Sequence, residues 1–407
     1  MYRLVDLNGF NAYKPAIDHR VRLVKAYDVR RLRPQGVILG TSRSHLGLRP
    51  SHDGWDPAAK PVYNLAFDGA TTKEMYQYLL HAHAVRPLRQ VVLGLDTYHA
   101  TLAPATARPD FDAQLLDSAG GRALPSLIRA DLKVFTSLDT LRASLATVRS
   151  QSDREPQWFA PDGQRLGEVF FRRAGEHFAQ LGPRGYFEEI DRLEVGFKRD
   201  GQRAANARDP GRIAQPAIGA GETSLDYIRR IIAFCRAQGV DLRIFIAPEH
   251  AHQLEITAAI GEWTTLENAK RALVQLLAED SARHAGAPPI PVWDFSGYSS
   301  VTTEALPESG SHAEMKFYWD SSHFKDIVGD FVLDRLFNSS HPRKEIPADF
   351  GVPLTPATIE PALARLRADR LAYRRSHPDD VAWIQSLVDG EAPEPSQTGA
   401  VAVSRPR

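Results

Sequence analysis

Cysteine is nearly missing from this chain. Of 407 residues only Cys235 carries a thiol, so no intrachain disulfide can form. Cys235 sits inside "YIRRIIAFCRAQG", an apolar helical face, and reads as a buried, inert thiol. A chain this poor in cysteine suits either side of a bacterial inner membrane, so the redox compartment stays open. An excess of charge is missing too: 50 Lys and Arg balance 50 Asp and Glu. That balance removes the electrostatic case for nucleic acid, because phosphate binding shows as a basic surplus. Local basic runs such as "VRRLR" (29–33) read as solvated helix faces. Long apolar runs are also lacking, since no stretch approaches the roughly 18 residues of a membrane span. The opening "MYRLVDLNGFNAYKP" has neither the basic start nor the apolar core of a signal peptide. The chain as given therefore reads as soluble, unless an anchor precedes it.

What is present is ordinary globular material, 43% hydrophobic and 25% charged, in a chain long enough for one large domain with insertions or for two domains. Short β-branched runs followed by turn residues read as buried parallel strands: "GVILG" (36–40), "VVLGL" (91–95) and "LRIFIAP" (242–248), with weaker "PVYNLA" (61–66) and "PVWDF" (291–295). Between them lie helical patterns at 71–85, 224–239 and 265–286, the first capped by Thr71 or Thr72, the second opening on Ser224 and closing on Gly239. This alternation predicts an α/β fold of three layers around a parallel sheet with right-handed crossovers. Residues 1–35 lead into the sheet, and 36–340 form the α/β domain. A charge-rich, breaker-rich stretch at about 100–222 is too long for a plain loop and reads as a mostly helical insertion, a candidate lid. Residues 341–390 read as a C-terminal appendage of two helices, and 391–407 as a disordered tail.

In an open parallel sheet, ligands bind beyond the carboxyl ends of the strands, so the residues just after each strand are read together. After the first strand come Gly40, Thr41, Ser42 and Arg43; after the second comes "NLAFDGAT" with Gly69 in a turn; after the third comes "GLDTYH" with Asp96. "YWDSSHF" later supplies Asp320 and His323, three residues apart and able to share one side of a turn. A serine hydroxyl becomes a nucleophile when a neighbouring imidazole takes its proton, and that imidazole needs a carboxylate to hold its tautomer. Ser42, His323 and Asp320 are residues of those three kinds.

"VILGTSRS", "NLAFDGAT", "VVLGLD" and "YWDSSH", in that order, resemble the four blocks of the SGNH (GDSL-like) hydrolase superfamily. More narrowly, the set is similar to bacterial SGNH-like proteins linked to acylation of cell-surface or exported polysaccharides. The likeness covers about 36–100 and 224–340. It implies an SGNH/flavodoxin-like sheet and an acyl-ester reaction, O-acyl transfer or ester hydrolysis, on an acylated carbohydrate. It makes Ser42 the nucleophile, His323 the base and Asp320 its orienting carboxylate, with the Ser42 and Gly69 N–H groups facing the oxyanion. It further implies an acyl donor or acylated carbohydrate as partner, a membrane acyltransferase or polysaccharide-export machinery nearby, and no cofactor. The periplasm or another extracytoplasmic site is the implied location, the cytoplasm its alternative.

The chain departs from the family at Asp96, where an asparagine ordinarily donates to the oxyanion. An ionised aspartate only accepts hydrogen bonds, so Asp96 is protonated, or engages another group such as Arg43, or slows turnover. Arg43 can otherwise hold an anionic substrate. His250, following a strand, is a candidate substrate contact, and Tyr98, His99, Tyr318 and Trp319 are candidate sugar-stacking groups. The pairs His250/His252 and His81/His83 lack a nearby carboxylate or cysteine at metal-ligand spacing, so no metal site is expected. Two rival readings stand beside the enzyme. One is a non-catalytic polysaccharide-binding or assembly protein on the same scaffold, the other a cytoplasmic lipase or thioesterase.

Overall fold

The computed structural model describes residues 20–97, 99, 105, 107–108, 110–116, 138–152, 158–169, 175–208, 222–340, 342 and 344–390, together with 10–11, 13–14 and 17. Among them six strands form one sheet: β1 Gly36–Leu39, β2 Val62–Asn64, β3 Gln90–Leu95, β4 Asp241–Ile246, β5 Val292–Asp294 and β6 Val352–Pro353. Their order is β2-β1-β3-β4-β5-β6. The first five are parallel, with Gly36 beside both Val62 and Gln90, Gln90 beside Asp241, and Ile244 beside Val292. β6 runs antiparallel to β5. Every residue of β1, β2 and β3 is buried, which is why, apart from Asn64 and Gln90 at strand ends, these strands read as apolar runs rather than alternating ones.

Eleven helices are described: α1 Val21–Leu32, α2 Ser42–Gly47, α3 Thr72–Val85, α4 Leu138–Arg149, α5 Gly175–Arg208, α6 Ser224–Gln238, α7 Ala251–Ala259, α8 Trp263–Arg283, α9 Asp326–Phe337, α10 Ile359–Ser376 and α11 Pro378–Asp389. The strand pleat divides the core into two. Val37, Leu39, Val91, Leu93, Ile244 and Ile246 point one way and meet Val29 of α1, Met75 and Leu79 of α3, Ile228 and Ile231 of α6, and Leu273 of α8. Ile38, Val92 and Phe245 point the other way and meet Phe187 of α5 and Phe331, Val332 and Leu333 of α9. The protein is thus a three-layer α/β structure.

Local chemistry sets the helix ends. Thr71 accepts from Glu74 N while Glu74 accepts from Thr71 N, a reciprocal cap on α3. On α6 the same device is built from Thr223 and Asp226, one residue before the expected Ser224, and Gly239 closes the helix in the left-handed region. The segment expected as a helical insertion contains α4 and the long α5, which is broken at Gly182–Pro183. "SAGG" (118–121), Tyr98 and the tail 391–407 lie outside the described residues. The expected boundary near 340 does not mark off an appendage. β6 joins the sheet, and Leu354, Ile359, Leu363 and Leu366 belong to the larger core. α11 packs Ile384, Leu387 and Val388 against Ile256 of α7 and Val195 of α5.

Candidate active site

Strand order 2-1-3-4-5 reverses direction between β1 and β3, and a crevice opens at such a switch point beyond the carboxyl ends of the strands. α2 starts there, with Ser42 as its first residue. Two glycines make room for it. A Cβ on Gly40 or on Gly94 would run into the Ser44 side chain, so both strand ends must be bare for α2 to settle on them. Buried Asn64 then ties the helix down, its amide donating to Ser44 O and Leu48 O at 2.9 Å each while its carbonyl accepts from Ala66 N at 3.1 Å. Phe67 N donates to Gly40 O at 3.2 Å, which brings the turn at Gly69 (φ 60°) alongside β1. That left-handed turn favours glycine.

The other half of the site comes from the segment before α9. Phe324 lies against Gly47 so closely that no side chain fits there, which presses residues 320–324 onto α2. His323 Nε2 is 2.8 Å from Ser42 Oγ. Its Nδ1 is 2.9 Å from Asp320 Oδ2 and 3.0 Å from Oδ1. A carboxylate only accepts, so Nδ1 carries the hydrogen and Nε2 is left to accept from the serine hydroxyl. Asp320 is fully buried, and its Oδ1 also accepts from the Ser322 and His323 backbone N–H groups at 2.8 Å each. Burial works to lower the His323 pKa, but the adjacent Asp320 charge and its hydrogen bond outweigh that and hold it above the ordinary histidine value. Arg43 opposes the rise, and the carboxylate of Asp68 adds to it. Ser42 is half-buried and the His323 side chain is 18% exposed, so the pair can be reached from solvent.

Asp96 does not face this pair as a donor. Its Oδ2 is 2.7 Å from Arg43 Nη1, and its Oδ1 accepts from Thr41 Oγ1 at 3.1 Å. Of the options open in the sequence, the contact with Arg43 is the one the structure contains. The Asp96 N–H donates to His99 Nδ1 at 3.0 Å, and His99 Nε2 reaches Ala70 O at 3.1 Å. His99 is therefore a buried brace between two turns and offers no face to a sugar. The expected role of His250 as a substrate contact is corrected in the same way. His250 is 1% exposed, its Nδ1 accepts from His252 N as the cap of α7, and its Nε2 donates to Glu304 O at 2.9 Å. Burial, with His252 beside it, pushes it down to about 3. Tyr318 is core, its hydroxyl donating to Pro248 O at 3.2 Å. Trp319 is half-buried, with Gly167 against its ring and the Lys325 ammonium 4.3 Å from the ring centre. His81 binds Ala26 O, and His83 accepts from Leu88 N.

Several groups at the site escape a sequence reading. Glu249, in the loop after β4, lies 3.5 Å from Arg43 Nη1 and also accepts from Thr97 Oγ1 at 3.2 Å. A carboxylate at a strand end opposite a lone arginine was the available signal. Asp68 is held by Arg165 and by His45. The Asp68 side chain is half exposed, and the Arg165 guanidinium beside it keeps its carboxyl well below the usual carboxylate range. Arg108 lies over Gly69, with its Nη1 3.3 Å from where a Cβ would stand. Glu194 on α5 accepts from Ser322 Oγ at 2.7 Å, a contact across 128 residues that no local pattern announces.

Neither a scan against protein-family models nor a search of curated proteins finds a match for this chain. Among the described residues no helix is long and apolar enough to cross a membrane.

Proposed function

We propose that this protein is an SGNH-type serine enzyme carrying out acyl-ester chemistry through an acyl-Ser42 intermediate, as an O-acyltransferase or esterase acting on an acylated carbohydrate. One observation carries the reading: the unbroken chain of hydrogen bonds from Ser42 Oγ through His323 to buried Asp320, set at the switch point of the sheet. The order of the four sequence motifs supports the family, and the carbohydrate class rests on that resemblance.

The steps follow from the donor and acceptor assignments. Ser42 Oγ attacks the ester carbonyl as its proton passes to His323 Nε2, and the Asp320 carboxylate stabilises the imidazolium. The C=O electrons move onto oxygen, which backbone N–H groups of Ser42 and Gly69 stabilise. Ser42 is the first residue of α2, where amides have no partner within the helix. Because Asp96 is occupied by Arg43 and Thr41, these backbone groups carry the oxyanion without a side-chain amide. Collapse breaks the ester C–O bond, and the leaving alcohol takes the proton from Nε2. Water or a sugar hydroxyl then gives its proton to His323 and attacks the acyl-serine, which regenerates Ser42. The scheme uses no cofactor. An extracytoplasmic location, beside a membrane acyltransferase or export machinery, follows from the same resemblance.

The engagement of Asp96 favours a second reading, a polysaccharide-binding or assembly protein on a decayed scaffold. Nitrophenol release from p-nitrophenyl acetate, followed with and without an unacylated oligosaccharide, separates the cases. Release that the acceptor accelerates marks a transferase, and fast release in buffer alone marks an esterase. Release that survives unchanged in Ser42→Ala gives the binding scaffold the lead.

A further inference from the structure

We propose that Arg43 and Ser322 are positioning residues for the His323 imidazole, and that Glu194 makes helix α5 part of that arrangement. The inference rests on the acyl-Ser42 reading. Arg43 immediately follows the nucleophile, and Ser322 immediately precedes the base. Arg43 Nε donates to Ser322 O at 2.9 Å and its Nη2 to Ser322 Oγ at 2.8 Å. A guanidinium thus grips one residue through two parallel donors, which fixes both distance and orientation. The guanidinium is itself buried and restrained on its far side by Asp96 at 2.7 Å and Glu249 at 3.5 Å.

Ser322 gains a direction from this. Its hydroxyl accepts from Arg43 and donates its one hydrogen to Glu194 Oε1 at 2.7 Å, while its N–H donates to Asp320 Oδ1 at 2.8 Å. The neighbouring Ser321 is held as well, with Gln253 Nε2 donating to its Oγ at 2.9 Å and its carbonyl accepting from His250 N at 3.3 Å. The turn carrying Asp320 and His323 is therefore clamped to the turn carrying Ser42 from one side and to α5 from the other. Proton transfer between Ser42 and His323 needs their 2.8 Å separation, and a displacement of about 1 Å costs on the order of a hundredfold in rate. A lysine at 43 keeps the charge but cannot fork, and an alanine at 322 removes both hydroxyl bonds while leaving the backbone bond in place.

The test uses the full chain with Ser322→Ala and Arg43→Lys and two readouts. The first is steady-state cleavage of p-nitrophenyl acetate, resolved into kcat and KM. The second is the low-field proton NMR signal of His323 Nδ1–H against Asp320, which needs no turnover. Expected are a fall in kcat of about tenfold for Ser322→Ala and about a hundredfold for Arg43→Lys, KM within about twofold, and a low-field signal broadened or moved upfield. A folded variant pair with unchanged kcat and an unchanged low-field signal overturns the proposal. So does a loss confined to thermal stability. If the wild type forms no acyl-Ser42 at all, the catalytic reading fails, and the NMR signal alone then decides the positioning claim.

Discussion

Replacing Asp320 by asparagine probes the site at its most determined point. Oδ1 of Asp320 accepts two backbone N–H groups, from Ser322 and His323, at 2.8 Å each. An asparagine must keep its carbonyl oxygen there, because an amide nitrogen would face two donors. Its NH2 then occupies the place of Oδ2, 2.9 Å from His323 Nδ1. That donor opposes Nδ1–H, leaving only the carbonyl oxygen at 3.0 Å to accept it, and so favours the tautomer with its hydrogen on Nε2, which cannot accept the Ser42 proton. The wrong tautomer in a serine triad costs about four orders of magnitude in kcat, about 5 kcal/mol of transition-state stabilisation. The pH profile should move as well. In the wild type His323 titrates above its ordinary 6.5 because Asp320 outweighs burial, so the rate, which needs the neutral base, rises with pH through a value above 6.5. Without the Asp320 charge, burial and Arg43 lower the pKa against Asp68 alone, and the residual rate should level off at lower pH. Stopped-flow release of nitrophenol from p-nitrophenyl acetate across a pH series measures both effects. An Asp320→Asn protein within tenfold of wild type, with the same acid limb, would refute the reasoning.

Other expectations concern stability. Asn64→Ala leaves the Ser44 carbonyl of α2 and that of its C-cap Leu48 without their donor and opens a small hole, so urea unfolding should show a loss of about 3 kcal/mol together with weakened Ser42 reactivity. His252 is buried, and although burial tends to lower its pKa, Asp191 at 2.7 Å raises it to about 9. Its stabilising contribution, about 3 kcal/mol, is complete below the unfolded value of 6.5 and disappears as pH rises through 9. Lys25, which burial pushes down to about 7, acts in the opposite sense from 7 to 10.5. The difference between wild type and His252→Gln in urea midpoints therefore isolates the histidine, and a difference independent of pH would contradict the pairing. Burial pushes the Cys235 thiol up to about 12, so iodoacetamide should leave it unmodified in the native protein and alkylate it in urea.

The sheet was legible because parallel strands buried on both faces are largely apolar, and β1, β3 and β4 fall within a residue or two of the runs that announce them, with Gln90, Asp241 and Arg243 at or near the strand starts as the polar exceptions. α3 and α6 were legible from their caps and, for α6, from Gly239. α7 and α9 were missed, since α7 begins inside "PEHAHQ", where histidines draw the eye, and α9 is buried on more than one side and shows weak periodicity. β6 is two residues long and has no sequence signature. At the site, residues next to strand ends were legible because topology puts them together. His250 illustrates the limit: a residue after a strand can face the crevice or cap the next helix, and only the ring's two partners decide. Glu194 and Ser322 were not legible, because their roles exist only through contacts across more than a hundred residues.

The central claim is that Ser42 carries the acyl group. Intact-mass measurement after brief exposure to p-nitrophenyl acetate, on wild type and Ser42→Ala side by side, tests it most directly. A single acetyl adduct on the wild type that is absent from Ser42→Ala is the expected result. Equal labelling of both proteins, or of neither, would contradict the account.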